Sequence, residues 1–176
     1  MSELNQDRVL TGIQFQNNLY KNHIANCSGA SMTKNGRSYN CGAMGKKVSD
    51  LELELTSRPD TRFIFETTKT LRHDRHCAKE AQAKLIKKAL KKEKKDCVYL
   101  LVVPDDSFFP AKSKEPENNN IFLKKINKNE YKRSGIGAID IGIKESAMDG
   151  FVKYVDKHPE LKTKDLIKGY KKENKL

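Results

Sequence analysis

The hydrophobic positions of this chain switch period along its length. Between 7 and 26, Val9, Leu10, Ile13, Leu19 and Tyr20 recur near helical spacing, with Phe15 and Ile24 nearby, which predicts a first helix. Residues 27–47 are rich in Gly, Ser and Asn and read as a loop with room for a short strand, ending at Gly45-Lys46-Lys47. The period then drops to two. Leu51, Leu53 and Leu55 alternate with Asp50, Glu52 and Glu54, giving a strand with one apolar and one acidic face. Ser57-Arg58-Pro59-Asp60-Thr61 reads as a turn. The β-branched and aromatic segment 62–70 is the returning strand, so 48–70 forms a hairpin.

A helix is expected from Asp74 to about Lys95. Its apolar stripe is Ala78, Ala81, Leu85, Ile86, Ala89 and Leu90, and its opposite face is lysine-rich. Cys97 to Val103 is a continuous apolar run, the pattern of a strand covered on both faces. Residues 110–120 read as a loop, 121–126 as a short strand and 137–143 as another strand. Ser146 to Asp149 has the form of a capping box, opening a helix through Phe151, Val152 and Val155. Leu161, Leu166, Ile167 and Tyr170 allow a short helix among the lysines of the tail. This order predicts an α/β fold, one mixed central β-sheet flanked by helices. It fits a single domain over 1–176, with a core of about 8–155 and a basic C-terminal tail of about 156–176.

Composition and charge narrow the class. No stretch approaches the ~18 apolar residues of a membrane span, and the N-terminus lacks the basic-then-apolar order of a secretory signal. A cytoplasmic protein without a membrane partner is expected. Lys and Arg total 35 against 23 Asp and Glu, a formal charge of +12. A polyanion, nucleic acid above all, is the partner that such an excess favours. Arg supplies only 7 of the 35, so part of the excess reads as a solubilising lysine coat. Cys27, Cys41, Cys77 and Cys97 form no C-x-x-C and read as free thiols. His73, His76, Cys77 and Cys97 lack the paired-knuckle spacing of a structural zinc site. His76 and Cys77 diverge by about 100° on one helix, so they cannot act as a nucleophilic pair.

The hairpin holds the candidate chemistry. Asp50 opens its first strand, and Glu66 lies late in the second, 16 residues on. Side by side, the two carboxylates can converge on one face, which is what Mg²⁺ requires; Mn²⁺ can substitute. A carbonyl oxygen of the second strand, at Thr67, would be a third ligand. Such an ion can polarise a phosphodiester and lower the pKa of a bound water. Thr68 shares the face of Glu66, and Lys69 follows where a bulge or strand end could swing its ammonium inward. The alternative is a solvated acidic sheet face. Glu66 weighs against it, because it follows Phe63-Ile64-Phe65 and a carboxylate there is costly unless something binds it.

These pieces resemble the PD-(D/E)XK nuclease superfamily, the fold of most restriction endonucleases. The family core is a helix, a three-stranded meander, a helix and a further strand. It carries an Asp at the start of the second core strand and Glu-x-Lys in the third. Val48-Ser49-Asp50-Leu51 stands for the first motif and Glu66-Thr67-Thr68 for the second, with Ser49 in place of Pro and Thr68 in place of Lys. Gly12-Ile13-Gln14-Phe15-Gln16 is similar to the Gly-x-x-Phe-Glu of the family's first helix. The chain is also similar, in size and in its Glu-x-Thr variant, to small catalytic subunits of heterodimeric type IIS restriction enzymes, which cut one strand each.

The resemblance implies a restriction-endonuclease-like core and a Mg²⁺-dependent DNA endonuclease of the restriction-modification kind. Asp50, Glu66 and Thr67 would be metal ligands, and Thr68 or Lys69 would position the water or the phosphate. Gln16, Glu80 and Gln82 are accessory candidates, and Lys46, Lys47, Arg72 and Arg75 are candidates for DNA contacts. Double-stranded DNA is the implied partner, with either a large DNA-recognition subunit or a second copy in a homodimer. Loops 27–47 and 104–136 are the places left for sequence recognition. Two other readings compete. One is a non-catalytic basic nucleic-acid-binding protein using the lysine-rich helix and tail, with salt-sensitive binding. The other is an interaction protein using the acidic strand Asp50-Glu52-Glu54.

Overall fold

Leucine alternation organises the centre of the molecule. A computed structural model of the chain describes residues 12–24, 30–34, 37–68, 73–105, 121–122 and 138–174. Helix α1 covers 12–19 and ends in a π-helical turn, Tyr20–Ile24. Strands β1 (Ala30–Lys34), β4 (Leu51–Leu55) and β5 (Arg58–Thr67) form an antiparallel meander with β4 in the middle. Between β1 and β4 a separate two-stranded ribbon is inserted, β2 (Ser38–Asn40) and β3 (Lys46–Val48). Helix α2 (His73–Lys92) then crosses over to β6 (Asp96–Val103), which pairs parallel to β5. β8 (Ile141–Lys144) lies parallel to β6, and β7 (Ile121–Phe122) lies antiparallel to β8. The six-stranded mixed sheet has the order β1-β4-β5-β6-β8-β7. Helices α3 (Met148–Lys157) and α4 (Thr163–Glu173) complete this α/β architecture.

Strand alternation sends side chains to two cores. Leu51, Leu53, Leu55, Phe63, Phe65, Val98, Leu100 and Val102 pack with Phe15 and Leu19 of α1 and with the apolar faces of α3 and α4. Ile64, Tyr99, Leu101 and Val103 pack on the other side, against Ala83, Ile86 and Leu90 of α2 and Tyr39 of the ribbon. β6 is therefore covered on both faces, as its unbroken apolar run predicts.

Several expected elements are differently placed. The hairpin turn is only Thr56–Ser57, and Pro59 and Asp60 lie in β5. Pro59 is tolerated because it precedes the first β6 pairing, at Thr61, so its missing N–H breaks no ladder bond there. The expected stripe of α2 is rotated. Ala78 and Ala81 are exposed, whereas Glu80, Ala83, Ile86 and Leu90 are buried. The helix stops in a Schellman motif: Lys94 adopts φ +57°, and the Lys95 N–H reaches the Leu90 carbonyl at 3.0 Å. β8 begins at Ile141 rather than 137, because the Asp140 carboxylate takes the place of a ladder carbonyl and accepts the Tyr99 N–H at 2.8 Å.

The expected capping box at Ser146 and Asp149 does not form. A 3-10 turn at Glu145–Ala147 leads into α3 without a side-chain cap, and the Ser146 N–H goes to Asp105 instead. The C-terminal segment is no loose basic tail. Leu166, Ile167 and Tyr170 of α4 are buried, and the Tyr170 ring meets Phe151 edge-on at 5.1 Å between centroids. Full burial of such side chains contributes about 1.5–3 kcal/mol each. Gly169 allows this docking, since a Cβ there would come within 2.3 Å of the Tyr154 hydroxyl. The segment 110–120 and residues 123–126 lie outside the described residues. Among the described residues, no helix is long and apolar enough to cross a membrane.

Candidate active site

β4 and β5 pair Leu51 with Phe65, so the residue before each leucine-rich run meets the residue after the aromatic run. Asp50 and Glu66 consequently face each other at one end of the hairpin. The Asp50 N–H donates to Glu66 Oε1 at 3.2 Å. Asp50 Oδ2 accepts from the Thr67 N–H at 2.8 Å and from Thr67 Oγ1 at 2.9 Å. Gln16 of α1 donates to the Asp50 carbonyl at 2.7 Å and pins the strand entrance. Gln82 of α2 donates to Glu66 Oε1 at 3.0 Å and to the Val48 carbonyl at 3.1 Å, tying helix, ribbon and carboxylate together.

Lys79 completes the cluster. Its Nζ lies 2.5 Å from Glu66 Oε2 and 3.7 Å from Asp50 Oδ2. The strand itself supplies no lysine, so the ammonium comes from α2, one helical turn before Gln82 and on the same face. Lys79 is the site residue that the sequence reading missed. The signal was present in its i, i+3 spacing to Gln82, but the eight lysines of 79–95 read as one solvated face.

The Glu66 side chain is 1% exposed. Burial pushes its carboxyl up to about 7, and the Asp50 charge pushes the same way against Lys79. Burial works against the Lys79 ammonium, but Glu66 and then Asp50 outweigh it and hold its pKa above the ordinary lysine value. Among the described residues, two carboxylates face one ammonium, so the cluster carries one negative charge in excess once Glu66 is ionised. Beneath it, the buried Tyr99 phenol is held up by desolvation and then by Glu66. No partner meets full hydrogen-bond geometry with its hydroxyl among the described residues.

The remaining candidates fall in different places. Thr67 lies beside Asp50. Its N–H points to that side of β5, so its carbonyl points there too, given that both groups of a strand residue share a direction. Thr68 is buried on the Glu66 side of the strand, and its N–H donates to the Val102 carbonyl at 3.0 Å. Glu80 does not face the site. It is turned by one helical position toward β8, where its Oε2 accepts the N–H groups of Ala138 and Ile139 at 2.8 and 3.1 Å. Its role there is to hold the entry to that strand. Lys46 and Lys47 sit on β3, Lys46 exposed and Lys47 half-buried. Lys69, Arg72 and the Arg75 side chain lie outside the described residues.

The acidic face of β4 is not a free surface. Glu52 is 1% exposed, with the Tyr39 hydroxyl and the Arg37 N–H donating to its carboxylate. Glu54 pairs with Arg62 and, at 3.3 Å, with Arg37. Cys97 is a half-buried free thiol that burial pushes up to about 12, an inert setting. The side chains of His73, His76 and Cys77 lie outside the described residues. A cavity of about 700 Å³ opens at the other end of β5, between Ser57–Thr61, Asp96 and Lys162–Lys164, and shares no residue with the carboxylate cluster. Among the described residues, no group of three His, Cys, Asp or Glu side chains converges as a metal site. Compared with known proteins, the chain matches no family model, no curated protein and no solved structure.

Proposed function

We propose that this chain is a divalent-metal-dependent DNA endonuclease with a restriction-endonuclease-like core, cutting one strand per site. One observation carries the reading: Glu66, fully buried, faces Asp50 across a strand pair while Lys79 reaches both. A buried carboxylate beside a second, half-buried one is unfavourable in the ionised form unless cations complete the pair. The order of elements supports the reading as well, with helix α1, the meander β1-β4-β5, the crossover helix α2 and then β6, Asp50 opening the middle strand and Glu66 lying late in the next.

The donor set fits a hard ion such as Mg²⁺. Asp50 and Glu66 offer oxygen only, the Thr67 carbonyl points to the same side, and with Glu66 ionised the cluster lacks one positive charge among the described residues. A divalent ion bound there would polarise the phosphodiester and acidify a water. The chain's own groups do the rest. Thr67 fixes the Asp50 carboxylate, and Gln82 fixes that of Glu66. Lys79 takes the role first sought at Thr68 or Lys69: its ammonium orients the attacking water or the phosphate and offsets developing charge. Duplex cleavage by a centre of this kind needs a second one, from another copy or from a larger recognition subunit.

The test is a supercoiled-plasmid assay in Mg²⁺ and in EDTA. Wild type should nick only with metal. Lys79→Ala should nick about 10–100-fold more slowly, the usual effect of losing a group that supports a metal centre. Metal-independent nicking, or a Lys79→Ala variant as fast as wild type, would remove the assigned roles. Duplex binding that falls steeply with salt, without any nicking alone or with a partner, would favour the binding-protein reading.

A further inference from the structure

We infer that the β2–β3 ribbon is the DNA-reading element of this protein, entering the major groove beside the phosphate that the carboxylate cluster would cut. The inference rests on the nuclease reading for the position of the cut, but not for the binding itself. A two-stranded ribbon is one of the two elements that fit a major groove about 12 Å wide.

The ribbon has an anchored face and a free face. Tyr39 is 4% exposed, is packed on the α2 side of the sheet and donates to Glu52. The Arg37 N–H also reaches Glu52, at 2.6 Å, and Gln82 holds the Val48 carbonyl. The cross-strand pairs Ser38–Val48 and Asn40–Lys46 point the other way, and all four residues are exposed. Their chemistry is that of base edges: an ammonium suits guanine, a hydroxyl suits several bases and an apolar side chain suits the thymine methyl, while the Asn40 oxygen accepts the Gly42 N–H at 3.0 Å and leaves its amide N–H groups to donate. A protein-binding core would be aromatic-rich and lysine-poor instead. The tip closes tightly, with Gly42 at φ +65° and Gly45 at φ +74°, conformations that favour glycine. It carries Met44 outward, 61% exposed.

Placement sets the reach. Lys46 lies four residues before Asp50, a span of at most about 14 Å of extended chain. At about 3.4 Å per base pair, the bases contacted lie within about four base pairs of the cut.

The test uses full-length protein and a fluorescein-labelled 30-base-pair duplex of mixed sequence, with binding followed in EDTA across a salt series. The triple variant Ser38→Ala, Lys46→Ala, Val48→Ala changes only exposed side chains and spares Asn40, whose Oδ1 accepts the Gly42 N–H at the tip at 3.0 Å, and Lys164→Ala on α4 is the control. The triple variant should bind about tenfold more weakly or worse, with a salt slope smaller by about one. The control should match wild type. End sequencing of plasmid nicked by wild type should show a base preference within about four base pairs of the nick, which the triple variant flattens. Unchanged duplex binding by the triple variant would assign the face to a protein partner and overturn the inference. So would a base preference that lies farther away or survives the changes. If wild type binds through the ribbon but never nicks, the nuclease reading fails and the ribbon stands. If wild type nicks and the triple variant binds normally, the reverse holds.

Discussion

Two buried acids sit on the same face of the β4–β5 hairpin, and their surroundings differ. Glu52 and Glu66 are both almost fully buried. Glu52 is satisfied by a phenol and a backbone N–H, and its neighbour Glu54 is matched by Arg62 and Arg37. Two acids against two guanidiniums make that end electrically balanced among the described residues. Among the described residues, Glu66 has Asp50 beside it and only Lys79 to offset both. Burial therefore does not mark a functional carboxylate, since both acids are buried. The unbalanced charge does, because it is the feature that a hydrated cation or a phosphate-bound metal would complete.

The largest expected effect separates the two ends by activity. Asp50→Asn should lower metal-dependent nicking by more than about 100-fold, since it removes a ligand charge rather than a supporting group. Glu52→Gln should stay within about threefold, because the glutamine oxygen can accept the Arg37 N–H while its amide nitrogen donates to the Tyr39 hydroxyl, a group that can accept as well as donate. Equal losses in the two variants would show that both clusters are structural, and the proposed centre would have no special status.

A second contrast is thermodynamic. The Glu66 carboxyl is raised from an ordinary 4.5 to about 7, so the folded chain keeps a proton that the unfolded chain releases between those values. Its contribution is fully favourable below pH 4.5, falls as pH rises through that window and is lost above about pH 7. A displacement of this size is on the order of 3–4 kcal/mol at about 1.4 kcal/mol per pH unit, of which about 3 kcal/mol falls between pH 4.5 and pH 7.5. Glu66→Gln has no such proton to lose. Its melting temperature should gain on wild type by about 5–10 °C between pH 4.5 and pH 7.5, taking about 2–4 °C per kcal/mol for a chain of this length. The groups facing Glu66, namely Asp50, Lys79 and Tyr99, are the same in both proteins. Millimolar Mg²⁺ at pH 7.5 should raise wild type more than the variant, by linkage. Parallel pH curves for the two proteins would show that burial and the Asp50 charge do not raise the Glu66 carboxyl.

How much of this was legible in the sequence follows from the range of the forces involved. Period-two leucines gave β4, and the unbroken run gave β6, because strand patterning is local. The Asp50–Glu66 convergence was legible too, since a hairpin turns sequence spacing into register. Lys79 was not. Its role depends on the angle at which α2 crosses the sheet, and its neighbours hid it in a lysine-rich face. Glu80 misled for the same reason: one residue, about 100° of rotation, separates a side chain at the carboxylates from one at β8. The Glu52 and Glu54 row read as a possible acidic surface because alternation shows which face a residue takes, not what covers that face. The covering ribbon came from a Gly- and Asn-rich segment with little hydrophobic signal.

The smallest expected effect lies at the balanced end. Glu54 sits where the β4–β5 register shifts, between the Leu53–Phe63 and Leu55–Arg58 pairs. There its carboxylate meets Arg62, whose side chain is 8% exposed, while Glu54 itself is 29% exposed. Water screening at the glutamate limits what the pair can contribute, to about 1 kcal/mol or less. Glu54→Gln should therefore lower the melting temperature by no more than about 2–4 °C, and the loss should shrink in added salt. It should leave the pH contrast between wild type and Glu66→Gln intact, because Glu54 does not contribute to the Glu66 shift. A loss of that contrast in the Glu54→Gln background would mean that the two ends share one electrostatic network. Glu66 would then owe its displacement to the whole hairpin, and the imbalance at Asp50 would no longer single out the site.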